Sequence, residues 1–230
     1  MQRSDESTVK KNKVFNRIVL VLLILSFLFC LLSHLYCILF YRQPADIRKN
    51  VQKGVPYVFQ SNEDYFDRIQ SVGATDDFVY VLFGRQAIVK VFRHDGDYIA
   101  TIAVFYSGSG GVSLYTDKSR AYIDSNGFLY ELEGTALLQS YSTTNGDFSG
   151  KLKAVQSASA PPADYTIRFG NVIKYAHTPQ AYVFLQRDLW HRILHPDALI
   201  PAEFAVLLLW GLILIVWNKT SKQRFQQNER

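Results

Sequence analysis

The feature that most constrains this fold is a run of 23 residues near the N-terminus that carries no formal charge. Residues 18–40 read "IVLVLLILSFLFCLLSHLYCILF". As an α-helix this run would extend roughly 35 Å, which is enough to cross a hydrocarbon core of about 30 Å. Its apolar part is longer than the roughly 7–15 residues typical of a signal peptide, and no small-residue cleavage pattern follows it. We therefore expect an uncleaved transmembrane helix.

A second apolar run, "ALIPAEFAVLLLWGLILIVW", covers residues 198–217 and predicts a second transmembrane helix. Its single carboxylate, Glu203, lies near one end. The short segments outside the two runs, 1–17 and 218–230, each carry a net charge of +3. Because basic flanking segments stay on the cytoplasmic side, we expect both termini in the cytoplasm and the middle of the chain outside.

The middle of the chain gives little sign of charge-driven binding. Residues 42–200 contain 16 basic and 16 acidic residues, no cysteine and no glycosylation sequon. The overall charge of +5 is therefore the +6 of the two tails less the −1 of Glu203, and basic tails suit anionic membrane lipid and not nucleic acid. Cys30 and Cys37 lie about 10 Å apart along one helix, too far for a disulfide. Eukaryotic extracellular domains of this size often carry both disulfides and glycosylation sequons, so the lack of both in residues 42–200 favours a bacterial plasma membrane.

The extracytoplasmic segment shows the alternation of short antiparallel hairpins. In "VYVLFGRQAIVKVFRHDGDYIATI", residues 79–102, three apolar stretches are separated by turns, one with the Asp-Gly hairpin signal. A strand is also predicted over 55–60, and a similar unit recurs at 121–141, about 42 residues later. Residues 165–187 keep the strand-turn-strand rhythm. The intervening segments 61–73, 106–112, 142–150 and 157–164 are expected to be loops.

The stretch "IVKVFRHDGDYI" at 88–99 resembles blades of NHL-type and related six-bladed β-propellers, and "FLYELEGTALL" at 128–138 is similar to a shortened blade. The resemblance covers about 60 residues, whereas a closed propeller needs at least four blades of roughly 40 residues. It implies a partial propeller-like arrangement or a curved antiparallel sheet. We therefore expect a mainly β ectodomain joined to two transmembrane α-helices.

The chain divides into six predicted segments. "RDLWHRILHPD" has apolar residues at helical spacing beside Trp190 and basic residues, as expected for a helix at the membrane interface. The segments are a cytoplasmic tail (1–17), a first span (18–41), a β-rich domain (42–186), an interfacial helix (187–197), a second span (198–217) and a second cytoplasmic tail (218–230).

A stripe of small residues follows one face of the first predicted span. Ser26, Cys30, Ser33 and Cys37 recur at spacings of 4, 3 and 4, and small side chains let helices approach closely in lipid. His34 lies beside the stripe, and an ionisable group in a membrane helix usually faces protein or water. We predict that the two spans pack together with His34 near Glu203. The alternative is a single histidine near the interface.

No pattern assigns a reaction, a cofactor or a metal. His191 and His195 have the i, i+4 spacing that can bind zinc, but two histidines of an interfacial helix explain the spacing more simply. Glu131 and Glu133 would share one face of a strand, which we interpret as solvated. No nucleophile motif is found, and both thiols lie in the first predicted span.

The sequence therefore favours binding over catalysis. We expect the ectodomain to recognise a ligand, an envelope component or a partner protein, including as an accessory subunit of a membrane complex. An extracytoplasmic enzyme with its site on the β-domain loops is the first alternative. A structural protein that forms homo-oligomers through the sheet and the spans is the second. Membrane lipid and a protein partner are the expected contacts.

Overall fold

The computed structural model describes residues 3–40, 43–65, 67–108, 111–144, 147–159, 161–175, 179–193, 199–213 and 215. Side chains are described for part of these residues, and those of 3–16, 37, 38, 40 and 193 are not. The chain forms two compact units: residues 1–38 with 197–230, and residues 39–196. We call them the helical unit and the β unit.

The helical unit contains helix α1, Arg3–Phe40, and helix α5, Leu199–Ile213. One stretch, Arg17–Tyr36, is long and apolar enough to cross a membrane, a property that an N-terminal signal sequence can share. The 15 described residues of α5 rise about 22 Å, which is less than the roughly 20 residues of a typical span provide. The second span of the sequence analysis therefore stays a prediction.

The β unit is built from twelve described strands in three antiparallel sheets, which confirms the predicted mainly β domain. The central sheet has the order β1-β5-β4-β3-β2, the second sheet β6-β7-β8-β9 and the third sheet β10-β11-β12, and none is closed. The strands are β1 Tyr57–Phe59, β2 Ile69–Ala74, β3 Phe78–Phe83, β4 Ile88–Arg93, β5 Tyr98–Ala103, β6 Val112–Thr116, β7 Ala121–Ser125, β8 Phe128–Glu133, β9 Ala136–Ser142, β10 Tyr165–Arg168, β11 Asn171–Lys174 and β12 Tyr182–Leu185. The helices of this unit are α2 Ala45–Asn50, α3 Phe148–Ala158 and α4 Leu189–Ile193.

The central sheet is buried on both faces. Because successive side chains of a strand point to opposite faces, Tyr80 and Leu82 pack in one core cluster with residues of the second sheet. Val79, Val81 and Phe83 pack in another cluster with residues of the third sheet. All five are fully buried. Two-sided burial explains why β3 and β4 are nearly continuous apolar runs.

The two larger sheets repeat one strand pattern. Strands β2 to β5 and β6 to β9 form successive four-stranded meanders. Their corresponding strands begin at residues 69 and 112, 78 and 121, 88 and 128, and 98 and 136, offsets of 43, 43, 40 and 38 residues. The offsets are close to the 42 residues expected. The prediction of a loop over 61–73 is wrong at its end, because β2 pairs with β3 from Ile69 to Ala74.

Helix α3 covers the outer face of the second sheet and corrects two predictions. The helix begins at Phe148, inside the segment 142–150 that we expected to be a loop, and ends at Ala158. Phe148 and Val155 pack against Tyr122 and Leu129 of the sheet. Glu131 is consequently buried under this helix at 2% exposure and is not on a solvated face, whereas Glu133 is exposed.

Candidate functional site

The candidate site is a groove of about 640 Å³ in the β unit, which we call the arginine groove. The start of β2, the β10–β11 hairpin and helix α4 supply its walls. Three arginines and several apolar residues line it, and no acidic residue is among these described lining residues. They are Arg68, Ile69, Ile167, Phe169, Gly170, Arg187, Leu189 and Arg192.

The hairpin turn at the groove places an aromatic side chain in solvent. Arg168 and Asn171 are paired, so the loop between them has two residues, Phe169 and Gly170. Both have positive φ, 48° and 76°, as a type I′ turn requires. A left-handed backbone is unusual for a bulky residue and costs of order 1–3 kcal/mol. The Phe169 side chain is nevertheless 93% exposed, so the fold gains no burial from it.

A second two-residue turn of the same kind in this chain has asparagine at its first position. Between the paired residues Ser125 and Phe128, the β7–β8 hairpin uses Asn126 and Gly127 with φ values of 50° and 78°. Asparagine is among the residues that adopt this conformation most readily. The geometry of the turn therefore does not explain the phenylalanine side chain at position 169.

Arg192 joins helix α4 to the hairpin turn. Its Nη1 donates a hydrogen bond of 3.2 Å to the carbonyl oxygen of Phe169. Its Cγ would lie 3.0 Å from a Cβ added to Gly170, so glycine lets the arginine stem pack closely against the turn. Its Nε is buried and has no hydrogen-bond partner within the part of the chain that the structure describes. The side chain is thus held against the turn while one of its donors stays unused.

Arg187 fixes the segment before α4 and is itself neutralised. It is 3% exposed, and its Nε donates to Asp64 Oδ1 at 2.7 Å. Its other donors bind the carbonyl oxygens of Tyr65 and Asp67, the latter at 2.6 Å. The backbone N–H of Asp188 also donates to Asp64, at 3.2 Å. Asp64 thus balances Arg187, and Arg68 and Arg192 also line the groove.

Helix α4 exposes two large apolar side chains, Leu189 and Trp190. Leu189 is 51% and Trp190 is 61% exposed, and Leu189 lines the groove. The helix itself spans Leu189–Ile193, within the predicted interfacial helix 187–197, while residues 194–198 lie outside the described part of the chain. Aromatic, apolar and basic side chains are thus combined at this end of the β unit.

Of the two histidines considered as metal ligands, the structure describes only His191. His191 Nδ1 lies 3.9 Å from Asp64 Oδ2, and His195 is outside the described residues. Within the described ranges, no group of three His, Cys, Asp or Glu side chains is placed to hold a metal ion.

The helical unit brings together three of the residues predicted for helix packing. The Ser33 hydroxyl donates to Glu203 Oε1, and His34 Nδ1 lies 3.9 Å from Glu203 Oε2. Ser33 is buried, whereas the His34 side chain is 69% exposed. Ser26 donates to the Leu22 carbonyl oxygen of its own helix, Cys30 is half-buried, and the side chain of Cys37 is outside the described part.

Lys90 and His94 are engaged by neighbouring protein groups and are not among the residues that line the groove. Lys90 is buried in the central sheet, where its Nζ donates to the backbone and side-chain oxygens of Asn62 at 3.1 and 3.3 Å. Burial lowers its pKa to about 8. His94 makes 2.8 Å contacts with the Tyr165 hydroxyl and the Thr75 carbonyl oxygen.

Glu131 is held in a separate polar cluster under α3. It accepts a hydrogen bond from Tyr141 at 2.8 Å, and it forms ion pairs with Lys151 at 3.1 Å and with Arg120. Burial alone would raise the pKa of the Glu131 carboxyl. The hydrogen bonds from Tyr141, Lys151 and Arg120 outweigh burial and hold this pKa below its usual range. These contacts anchor the helix to the sheet.

Sequence reasoning missed the residues that define the groove: Arg68, Phe169, Gly170 and Arg192. One local signal was present, because "RFGN" at 168–171 has Gly at the second turn position but Phe where asparagine is usual. Comparisons of this chain with protein-family models, curated proteins and solved structures find no match.

Proposed function

We propose that the protein is a membrane-anchored binding protein whose β unit recognises an anionic ligand or partner through the arginine groove. α1 supplies the anchor, and the predicted second span after α4 supplies another. In this proposal both termini are cytoplasmic, the β unit lies outside the plasma membrane and Ser33, His34 and Glu203 help the two helices to pack. The propeller-like arrangement of successive meanders belongs to the same proposal.

The observation that carries the proposal is the combination of charge and apolar surface in one concave site. Three arginines line the groove, and no carboxylate is among its described lining residues, while Ile69, Ile167 and Leu189 give it an apolar lining. Guanidinium groups bind phosphate and carboxylate through charge-assisted hydrogen bonds. A few polar groups on a largely apolar concave surface are typical of ligand sites.

Binding explains the described residues better than catalysis does. The groups that chemistry commonly uses, Lys90, His94 and Glu131, are each engaged by protein partners and lie away from the groove lining. The groove supplies positive charge and apolar contact, which suit recognition of an anion. We therefore assign no reaction to this site.

The test is a titration of the full-length protein in an uncharged detergent with glycerol phosphate and, separately, with citrate. A ligand that binds the folded state raises the melting temperature in proportion to RT ln(1 + [L]/Kd). We expect a saturable rise with at least one anion that is lost in Arg192→Gln. Arg93→Gln removes the same charge at an exposed site outside the groove and should bind like the wild type. Equal shifts for Arg192→Gln and the wild type would exclude this groove as the anion site.

A further inference from the structure

We infer that the β10–β11 turn and helix α4 form a docking surface for an anionic phospholipid bilayer, with Phe169 entering the headgroup region and Arg192 binding lipid phosphate. This inference rests on the proposed anion-binding groove and names its occupant. The surface consists of Phe169, Leu189, Trp190 and Arg192.

The position of Phe169 supports a bilayer more than a compact soluble anion. Its side chain is 93% exposed at the end of a hairpin, on a left-handed backbone that asparagine would adopt with less strain. A small anion held between guanidinium groups does not cover a side chain that projects in this way. Insertion of the ring among lipid headgroups would remove it from water, which favours binding in proportion to the buried apolar area.

The neighbouring side chains match the composition of a membrane interface. Leu189 and Trp190 are exposed on α4, and tryptophan favours the level of the headgroups. Arg192 contacts the turn directly through its hydrogen bond to the Phe169 carbonyl oxygen, so charge and apolar surface are fixed side by side. Surface basic residues are attracted to anionic lipid.

The turn is held firmly enough to present this surface. Arg187 ties the residues before α4 to Asp64 and to the carbonyl oxygens of Tyr65 and Asp67. Gly170 allows the Arg192 stem to pack against the turn. Phe169 and Arg192 are therefore positioned by the folded β unit, and a substitution at residue 169 should leave the rest of the groove in place.

The experiment compares the full-length protein in nanodiscs of phosphatidylcholine with nanodiscs that contain about 30% phosphatidylglycerol, a fraction chosen to give a clearly negative surface. Hydrogen–deuterium exchange is followed in peptides that cover 165–175 and 186–193. The Asp95–Asp97 turn, which lies exposed in the same unit, provides the internal reference. We expect slower exchange of the two test peptides only in the anionic nanodiscs, with no change in the reference turn.

Variants separate docking from folding. Phe169→Asn should melt at or above the wild-type temperature, because asparagine suits the turn, but its docking should weaken about tenfold to a hundredfold, the ratio that burial of one phenyl group supplies. Arg192→Gln should also lose protection, whereas Arg93→Gln should keep it. Unchanged protection in Phe169→Asn, or equal protection in phosphatidylcholine alone, overturns the inference.

The outcomes distinguish this inference from the proposed function. Arg192-dependent binding of glycerol phosphate together with unchanged exchange in Phe169→Asn would retain the anion groove and reject bilayer docking. Protection that needs Phe169 and Arg192 without binding of glycerol phosphate or citrate would support docking and reject a site for soluble anions. Absence of both responses rejects both proposals.

Discussion

Replacement of Lys90 by methionine should stabilise the β unit at neutral pH and change the pH dependence of its unfolding. Lys90 is 2% exposed, with its ammonium group 5.4 Å from the centre of the Tyr65 ring and 5.7 Å from that of Phe83. Burial is the main reason that its pKa falls from 10.5 to about 8; Asp64 opposes the shift and Arg187 adds to it. Keeping the Lys90 ammonium charged in the folded state therefore lowers the free energy of unfolding.

The size and sign of this effect follow from proton linkage. Because the folded pKa lies below the unfolded one, the unfolded state binds more protons between pH 8 and 10.5, and stability rises with pH in that window. A shift of this size costs about 3 kcal/mol at pH 7. Loss of the hydrogen bonds to Asn62 offsets about 1 kcal/mol, so Lys90→Met should gain about 2 kcal/mol at pH 7 and almost nothing at pH 10.

The assay is thermal unfolding of the full-length protein in an uncharged detergent at pH 7, 8, 9 and 10, followed by near-UV circular dichroism. A difference of about 2 kcal/mol corresponds to roughly 4–8 °C for a unit of this size. Burial raises the pKa values of Tyr65 and Tyr80 to about 12, so these tyrosines reduce stability above about pH 10 in both proteins. The difference between the two melting curves therefore reports Lys90.

Lys118→Met provides the matched control, because Lys118 lies exposed in the turn between β6 and β7. Its pH profile should run parallel to that of the wild type. If Lys90→Met also runs parallel to the wild type from pH 7 to 10, the lysine is held without a desolvation cost and the reasoning is refuted.

Three further substitutions test the contacts that build the two units. Glu131→Gln should lower the free energy of unfolding by about 1–2 kcal/mol at pH 7, because the bonds to Lys151 and Arg120 become weaker. The folded state depresses the pKa of Glu131, so the difference between this variant and the wild type in urea titrations should shrink as the pH falls below 4.5. Gly170→Ala should cost about 1–3 kcal/mol of unfolding free energy in the same titrations, because the φ of Gly170 is 76° and an added Cβ would lie 3.0 Å from Arg192 Cγ. Gly150→Ala is the control, because an added Cβ at Gly150 would meet no other group within 4 Å. Ser33→Ala should weaken the contact with Glu203 by about 0.6 kcal/mol and speed hydrogen exchange in α5, whereas Ser26→Ala, whose hydroxyl bonds its own helix, should not.

The parts of the fold that were predictable are those whose local pattern agrees with their tertiary position. Strands β3, β4 and β5 alternate or cluster apolar residues and are joined by turns with clear signals, so the hairpins were expected close to their observed bounds. Strand β2, "IQSVGA", has no such pattern, and its pairing with β3 carries it into the sheet. A Cβ added to Gly73 would lie 2.6 Å from Thr116 Cγ2, so glycine permits β2 and β6 to approach.

Helix α3 was not predicted for a different reason. Phe148, Leu152 and Val155 have the i, i+4, i+7 spacing of a helix face, and these residues pack against the second sheet. The surrounding serines, Gly150 and the preceding Asn-Gly signal favoured a turn instead. Once the helix is placed, the burial of Glu131 follows, because α3 covers the face that would otherwise be in water. A single wrong element therefore produced both incorrect predictions.

The arginine groove could not be found from sequence spacing, because Arg68 and Arg192 are 124 positions apart and line one groove only when α4 packs on the β10–β11 turn. The turn itself holds the most informative comparison. Asn126-Gly127 shows that this chain uses the low-strain pair where a hairpin needs only to close. At Phe169-Gly170 the same geometry carries a side chain that adds strain and stays in water. Folding explains the glycine at this turn, and contact with a surface outside the chain is the explanation that we propose for the phenylalanine.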